Sequence, residues 1–283
     1  MKIYAKFKCI TLLSLFALSF SALSLNSAVA QDKKPDEVAP VQAPADNKEY
    51  LLKRVYTKGD MDQFKYSAKV HTTVADLGGE VDLKLAMLVK ESTLALKDDG
   101  EATVTTEVPE ATVDFGGMEI DIASFMPKFT STRTKDGVKD VKAEGGRDGI
   151  QDQLRDLFRT MEEIQGAFFP KNAIKIGDSW KIVKETKEGD KVSKSETTVK
   201  FVAVEEVEGV KTLRLEAKGD NSLNKETIKQ DVVANYDATT GKLVKGKIKM
   251  EGTSNGAPFK LDLNITQLPV EVKKEIKPER KAN

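Results

Sequence analysis

Apolar and polar positions alternate with period two along most of this chain, the spacing of strands with one buried and one wet face. Phe64, Tyr66, Ala68, Val70, Thr72 and Val74 alternate with polar neighbours. Val81, Leu83, Leu85, Met87 and Val89 put five apolar side chains in phase, and Ala102, Val104, Thr106 and Val108 continue the pattern. It returns at Val199, Phe201 and Ala203, then at Leu213, Leu215 and Ala217, and at Val232, Ala234 and Tyr236. Ile248 and Met250 follow, and Phe259, Leu261, Leu263 and Ile265 close the series.

Between these runs stand Gly-, Asp- and Asn-containing turns that supply the positive φ of tight hairpins, among them Gly78-Gly79, Asp98-Asp99-Gly100, Gly116-Gly117 and Thr240-Gly241. The spacing predicts an up-and-down antiparallel meander of about ten strands. One stretch departs from it. From Asp148 to Gln165, Ile150, Leu154, Leu157, Phe158, Met161 and Ile164 recur at helical spacing, with Asp148 placed to cap and Gly166 and Pro170 to terminate. The expected fold is therefore mainly β (α+β): a curved antiparallel sheet, or open half-barrel, with one central amphipathic helix.

The ends read differently. Lys2, Lys6 and Lys8 precede an apolar run that closes on Ala28-Val29-Ala30, the three parts of a cleavable secretory signal over residues 1–30, with Gln31 as the new terminus. Residues 31–48, spaced by Pro35, Pro40 and Pro44, read as a flexible linker, and 270–283 as a charged tail. Residues 49–269 form a single β-rich domain whose halves, joined by the 148–165 helix, each open on a Gly-Asp pair: Gly59-Asp60 and Gly177-Asp178. No later stretch is apolar enough to span a bilayer as a helix.

Composition narrows the chemistry. The only cysteine, Cys9, lies in the leader, so the exported chain is expected to have no disulfide, zinc-thiolate site or cysteine nucleophile. Loss of the leader's three lysines turns a balance of 45 basic and 45 acidic residues slightly acidic, which gives no footprint for nucleic acid. His71, the single histidine, falls in phase with Lys65, Ser67 and Lys69 on a wet face, and no metal site or other cofactor is indicated. Gly252-Thr253-Ser254-Asn255-Gly256 matches a nucleophile elbow, but an alternating strand follows instead of a helix, so it reads as a hairpin turn. Ser222 and Lys225 match S-x-x-K without the helix that motif needs. No catalytic residues are indicated, and the chain reads as no enzyme.

Phe169-Pro170, then Ile176-Gly177-Asp178-Ser179-Trp180, then Tyr236-Asp237-Ala238-Thr239-Thr240-Gly241-Lys242-Leu243-Val244 resemble a group of uncharacterised secreted bacterial β-rich proteins over most of residues 50–268. That group is similar in outline to lipoprotein-carrier-like half-barrels. The resemblance implies a curved sheet that wraps a helix and shelters lipid, although this chain lacks their lipid-attachment cysteine. It carries no catalytic residues over. The residues expected to line an apolar ligand are Leu154, Phe158 and Met161 of the helix, with Phe64, Tyr66, Leu85 and Met87 of the sheet. The expected role is that of an exported, periplasmic or extracellular, non-enzymatic protein for an apolar small molecule or exported partner. The alternative is a structural or protein-interaction module with a solid core. Oligomeric state is not legible.

Overall fold

The computed structural model describes residues 48–74, 79–134, 137–145, 169–188, 191–223, 226–254 and 257–270. The leader, the linker up to residue 47, the Asp148–Gln165 segment expected to be helical and the tail beyond residue 270 lie outside them. Helical geometry among the described residues is confined to one 3-10 turn, Ala123–Phe125. No described helix is long and apolar enough to cross a membrane.

The described strands form one open antiparallel sheet of twelve. They are β1 (Met61–Val74), β2 (Gly79–Leu96), β3 (Ala102–Phe115), β4 (Met118–Asp121), β5 (Lys128–Thr134) and β6 (Gly137–Glu144) in the first half. The second half holds β7 (Ser179–Glu188), β8 (Lys191–Val207), β9 (Val210–Leu223), β10 (Glu226–Asp237), β11 (Leu243–Ser254) and β12 (Ala257–Leu268). The order is β6-β5-β3-β2-β1-β12-β11-β10-β9-β8-β7, with β4 paired to β3. Each half is thus a meander, and the last strand of the chain pairs with the first at the sheet's centre. The edge strands β6 and β7 carry Lys139, Lys142 and Lys181, charges that discourage edge-to-edge pairing.

Register turns the alternation into continuous rungs. One apolar rung runs Trp180–Val199–Ala217–Val232–Ile248–Leu263–Ala68–Leu85–Val113–Ile120 across ten strands. The next runs Phe201–Leu215–Ala234–Gly246–Ile265–Tyr66–Met87–Ala111. Apart from Gly246, these residues belong to a single buried cluster, with Ile120 and Trp180 partly exposed at its margins.

Five register shifts interrupt the ladders of the described strands, and those in β3 and β8 show how the phase of the alternation is reset. Leu88 pairs with Glu110 and Lys90 with Glu107, so β3 carries an extra residue there, at Val108-Pro109. Pro109 has no N–H for a ladder, and a bulge is where a strand tolerates it. The buried positions change from Ala102, Val104, Thr106 and Val108 to Ala111 and Val113 across it. On β8 the shift falls between Phe201 and Ala203. Ala203 therefore pairs with Arg214 on the wet side, contrary to the simple alternation, and Val204 takes the inward position against Leu213.

The two Gly-Asp openings, related only weakly in sequence, make the same bonds. Gly59 N–H donates to Thr93 O and Thr93 N–H to Asp60 O, while Asp60 N–H closes on Thr57 O. Gly177 N–H donates to Phe201 O and Phe201 N–H to Asp178 O, while Asp178 N–H closes on Lys175 O. Both glycines have positive φ, 87° and 98°. Each pair stitches the start of a half to its own second strand.

Candidate functional site: an apolar face with a strap and a buried charge row

Four of the seven expected ligand-lining residues sit side by side at the sheet's centre. Tyr66 on β1 is directly opposite Met87 on β2, Ala68 is opposite Leu85, and Phe64 is opposite Val89. The Phe64 and Tyr66 rings meet edge to face at 6.4 Å. All four face inward and are buried, from 0% exposed for Phe64 to 7% for Leu85. Leu154, Phe158 and Met161 lie outside the described residues.

Described elements other than strands lie against this face. Ile122, fully buried, and the neighbouring Ala123 and Phe125 of the 3-10 turn pack on the first half. Phe169 stacks edge-on against Tyr236 at 4.9 Å. Residues 48–57 form a strap across the end of the second half. Tyr50 exchanges both backbone hydrogen bonds with Ile174 and sets its ring edge-on to Phe201 at 5.7 Å. Leu52 is buried in the core, and Val55 N–H donates to Thr240 O. The Thr240-Gly241 turn is shaped to receive the strap. Gly241 has φ of 64°, and a Cβ there would overlap the Lys53 carbonyl. Asp237 sets that turn by accepting from Thr239 N–H and Thr240 N–H at 2.7 and 2.9 Å. The Tyr-Asp…Thr-Gly and Gly-Asp-x-Trp stretches are thereby explained as structure: turn, cap and the Trp180 anchor of edge strand β7.

At one rim the inward face becomes charged, which sequence reading missed. Asp62 and Glu91 are register partners on β1 and β2, 7% and 4% exposed. Arg133 holds Glu91 through two parallel bonds of 2.8 and 3.0 Å, the fork geometry that suits a buried carboxylate. Asp62 accepts from Lys242 Nζ at 2.9 Å and Gln267 Nε2 at 3.1 Å, and the Arg54 guanidinium lies 3.4 Å away. The signal was present as parity: Asp62 is in phase with Phe64, and Glu91 with Val89. Adjacent carboxylates are what acid–base chemistry on a glycan would use, but each of these is matched by its own cation. Among the described residues no cluster suited to a metal occurs.

A second polar intrusion crosses β9. Gln230 Nε2 donates to Thr197 Oγ1 at 3.1 Å, over Gly219. A Cβ on Gly219 would stand 2.6 Å from Thr197 Oγ1 and 2.8 Å from Gln230 Nε2, so the glycine leaves room for that bond.

The wet face hollows over β8–β12 into a concavity of about 1260 Å³. Its walls form a checkerboard. Lys218–Asp231–Lys249–Asp262 run along one rung, and Asp220–Lys229–Glu251–Lys260 along the next. Opposite charges face each other both ways, so the hollow concentrates neither sign and its charges serve pairing. His71 lies on this exposed face, bonded to Asp82 Oδ1 at 2.9 Å, as its strand phase predicts.

No family model matches the chain, and no curated protein matches it. Solved structures overlap loosely. An inferred exported protein with a YmcC-like fold from Bacteroides fragilis is 10% identical, with 77% of this chain and 100% of that one covered and a TM-score of 0.28. The hypothetical lipoprotein YmcC of Escherichia coli is 10% identical over 75% of this chain and 90% of its own, with a TM-score of 0.23. DynF of the dynemicin biosynthesis pathway of Micromonospora chersina is 10% identical over 85% and 92%, with a TM-score of 0.21. Overlaps this loose carry no conclusion about what this chain does.

Proposed function

We propose that this is an exported, non-enzymatic binding protein whose curved sheet offers its inner face to an apolar, lipid-like ligand. Export rests on the leader: a basic head, an apolar middle and the Ala28-Val29-Ala30 exit. The ligand reading rests on one observation, the unbroken apolar rungs of a single open sheet centred on Phe64, Tyr66, Leu85 and Met87. An open sheet with one apolar face must cover that face, and a half-barrel does so around whatever occupies it. The non-enzymatic reading takes the adjacent carboxylates Asp62 and Glu91 as structural groups, each tied to a cation.

A second reading is favoured by a different observation. Those four residues are only 0–7% exposed, buried by the protein's own side chains, as in the solid core of a structural or protein-interaction module. A fluorescent fatty acid titrated into the delipidated chain from Gln31 onward separates the two. Saturable binding, lost in Met87→Trp while the melting temperature holds, supports the ligand reading. An unchanged dye signal at every protein concentration favours the solid core.

A further inference from the structure

The strap sits across one end of the apolar face, and its attachment is uneven. Tyr50 and Leu52 are buried, whereas their neighbours Leu51 and Val55 are 60% and 43% exposed, apolar side chains left in water. Arg54 is nine-tenths buried, yet its Nη1 has no hydrogen-bond partner and its contact with Asp62 is long at 3.4 Å. A buried donor without an acceptor lowers the advantage of the docked state. Beyond the strap the chain is fastened firmly, by the reciprocal bonds that join Gly59 and Asp60 to Thr93. The strap therefore ends ahead of Gly59, whose N–H is held by Thr93 O and whose φ of 87° turns the chain into β1.

We infer that residues 48–57 are a releasable strap that closes one end of the sheet over Phe201 and admits ligand when it lifts. The admission step rests on the reading of the apolar face as a ligand site, while the release does not. Lifting the strap separates the Tyr50 ring from Phe201, whose register partner on the apolar face is Leu215. It exchanges the Tyr50–Ile174 and Val55–Thr240 backbone bonds for bonds to water and frees the Arg54 guanidinium to be solvated. The closed form keeps Leu52 and Tyr50 in the core, so closure is the resting state.

Two measurements on the chain from Gln31 onward test this. Native-state amide exchange should show Tyr50, Val55 and Ile174 opening locally, about 100-fold faster than Tyr66 and Ile265 at the sheet's centre. Exchange of the strap amides at the core's rate would overturn release. The second uses the absence of cysteine after the leader. Tyr50 and Ile174 are an antiparallel pair with both bonds formed, a geometry with Cα atoms about 5.5 Å apart, within disulfide reach. In Tyr50→Cys/Ile174→Cys, oxidation should slow uptake of the fluorescent fatty acid about tenfold, and reduction should restore it. Equal uptake by both forms would overturn the gate. If no dye enters either form while the strap amides still open locally, the strap is releasable and the ligand reading alone fails.

Discussion

Asp62 and Glu91 stand opposite each other across β1 and β2 on the inward face, Glu91 held by Arg133 and Asp62 by Lys242. Removing Arg133 leaves Glu91 buried without its fork. Arg133→Met should therefore destabilise the fold by about 3–5 kcal/mol, the usual result of breaking one side of a buried pair. Urea unfolding measures it, and Glu91→Leu added to Arg133→Met should recover most of the loss. A single variant as stable as the parent would show that the pair holds nothing.

Gly241 is required by conformation and by space at once. Gly241→Ala should cost about 1–3 kcal/mol from its left-handed backbone alone, with the overlap on the Lys53 carbonyl added. Gly100→Ala is the control, because Gly100 has φ of 83° with nothing nearby. The difference between the two midpoints isolates the strap contact, and equal midpoints would contradict it.

The wet-face checkerboard predicts a charge-swap result. Asp231→Lys puts a third lysine between Lys218 and Lys249 and should destabilise by about 1 kcal/mol, less at high salt. Adding Lys218→Asp should recover part of the loss by restoring one opposite-charge pair. Thermal melts in low and high salt read both.

Burial raises the pKa of the fully enclosed Tyr236 phenol well above its ordinary value. A group whose folded pKa is raised favours the native state most below its unfolded pKa. Stability should therefore fall as pH climbs past about 10, where the phenol of an unfolded chain ionises. Tyr236→Phe removes that contribution, so the alkaline limb of its stability profile should be shallower. Identical limbs would contradict the burial. On the acid side, Lys97 and Lys139 hold the Glu101 carboxyl below its ordinary value, and Lys84 with the Gly117 amide does so for Asp114. Both are partly covered groups at the surface, in contact with solvent and salt, so their loss as pH falls through their lowered pKa values is expected to be slight.

Much of this architecture was legible in one dimension. Phase-two spacing placed Phe64, Tyr66, Leu85 and Met87 on one face, and register then made Tyr66 and Met87 neighbours. The Gly-Asp openings were legible as a pair, though not the identical bonds they make to Thr93 and Phe201. What escaped had local causes. Bulges at Pro109 and after Phe201 reset the phase, and alternation alone does not locate them. Asp62, Glu91 and Arg133 occupy inward positions where strand reading expects apolar residues, and their pairing spans distant strands. The strap reads as featureless sequence because Tyr50 and Leu52 find their partners only in three dimensions.

Native mass spectrometry of the delipidated chain from Gln31 onward, with a long-chain fatty acid added, tests the binding claim most directly. The account predicts a one-to-one adduct forming at roughly micromolar fatty acid and competed away by a second fatty acid. Free protein alone, or adducts that accumulate without a limit in number, would contradict it.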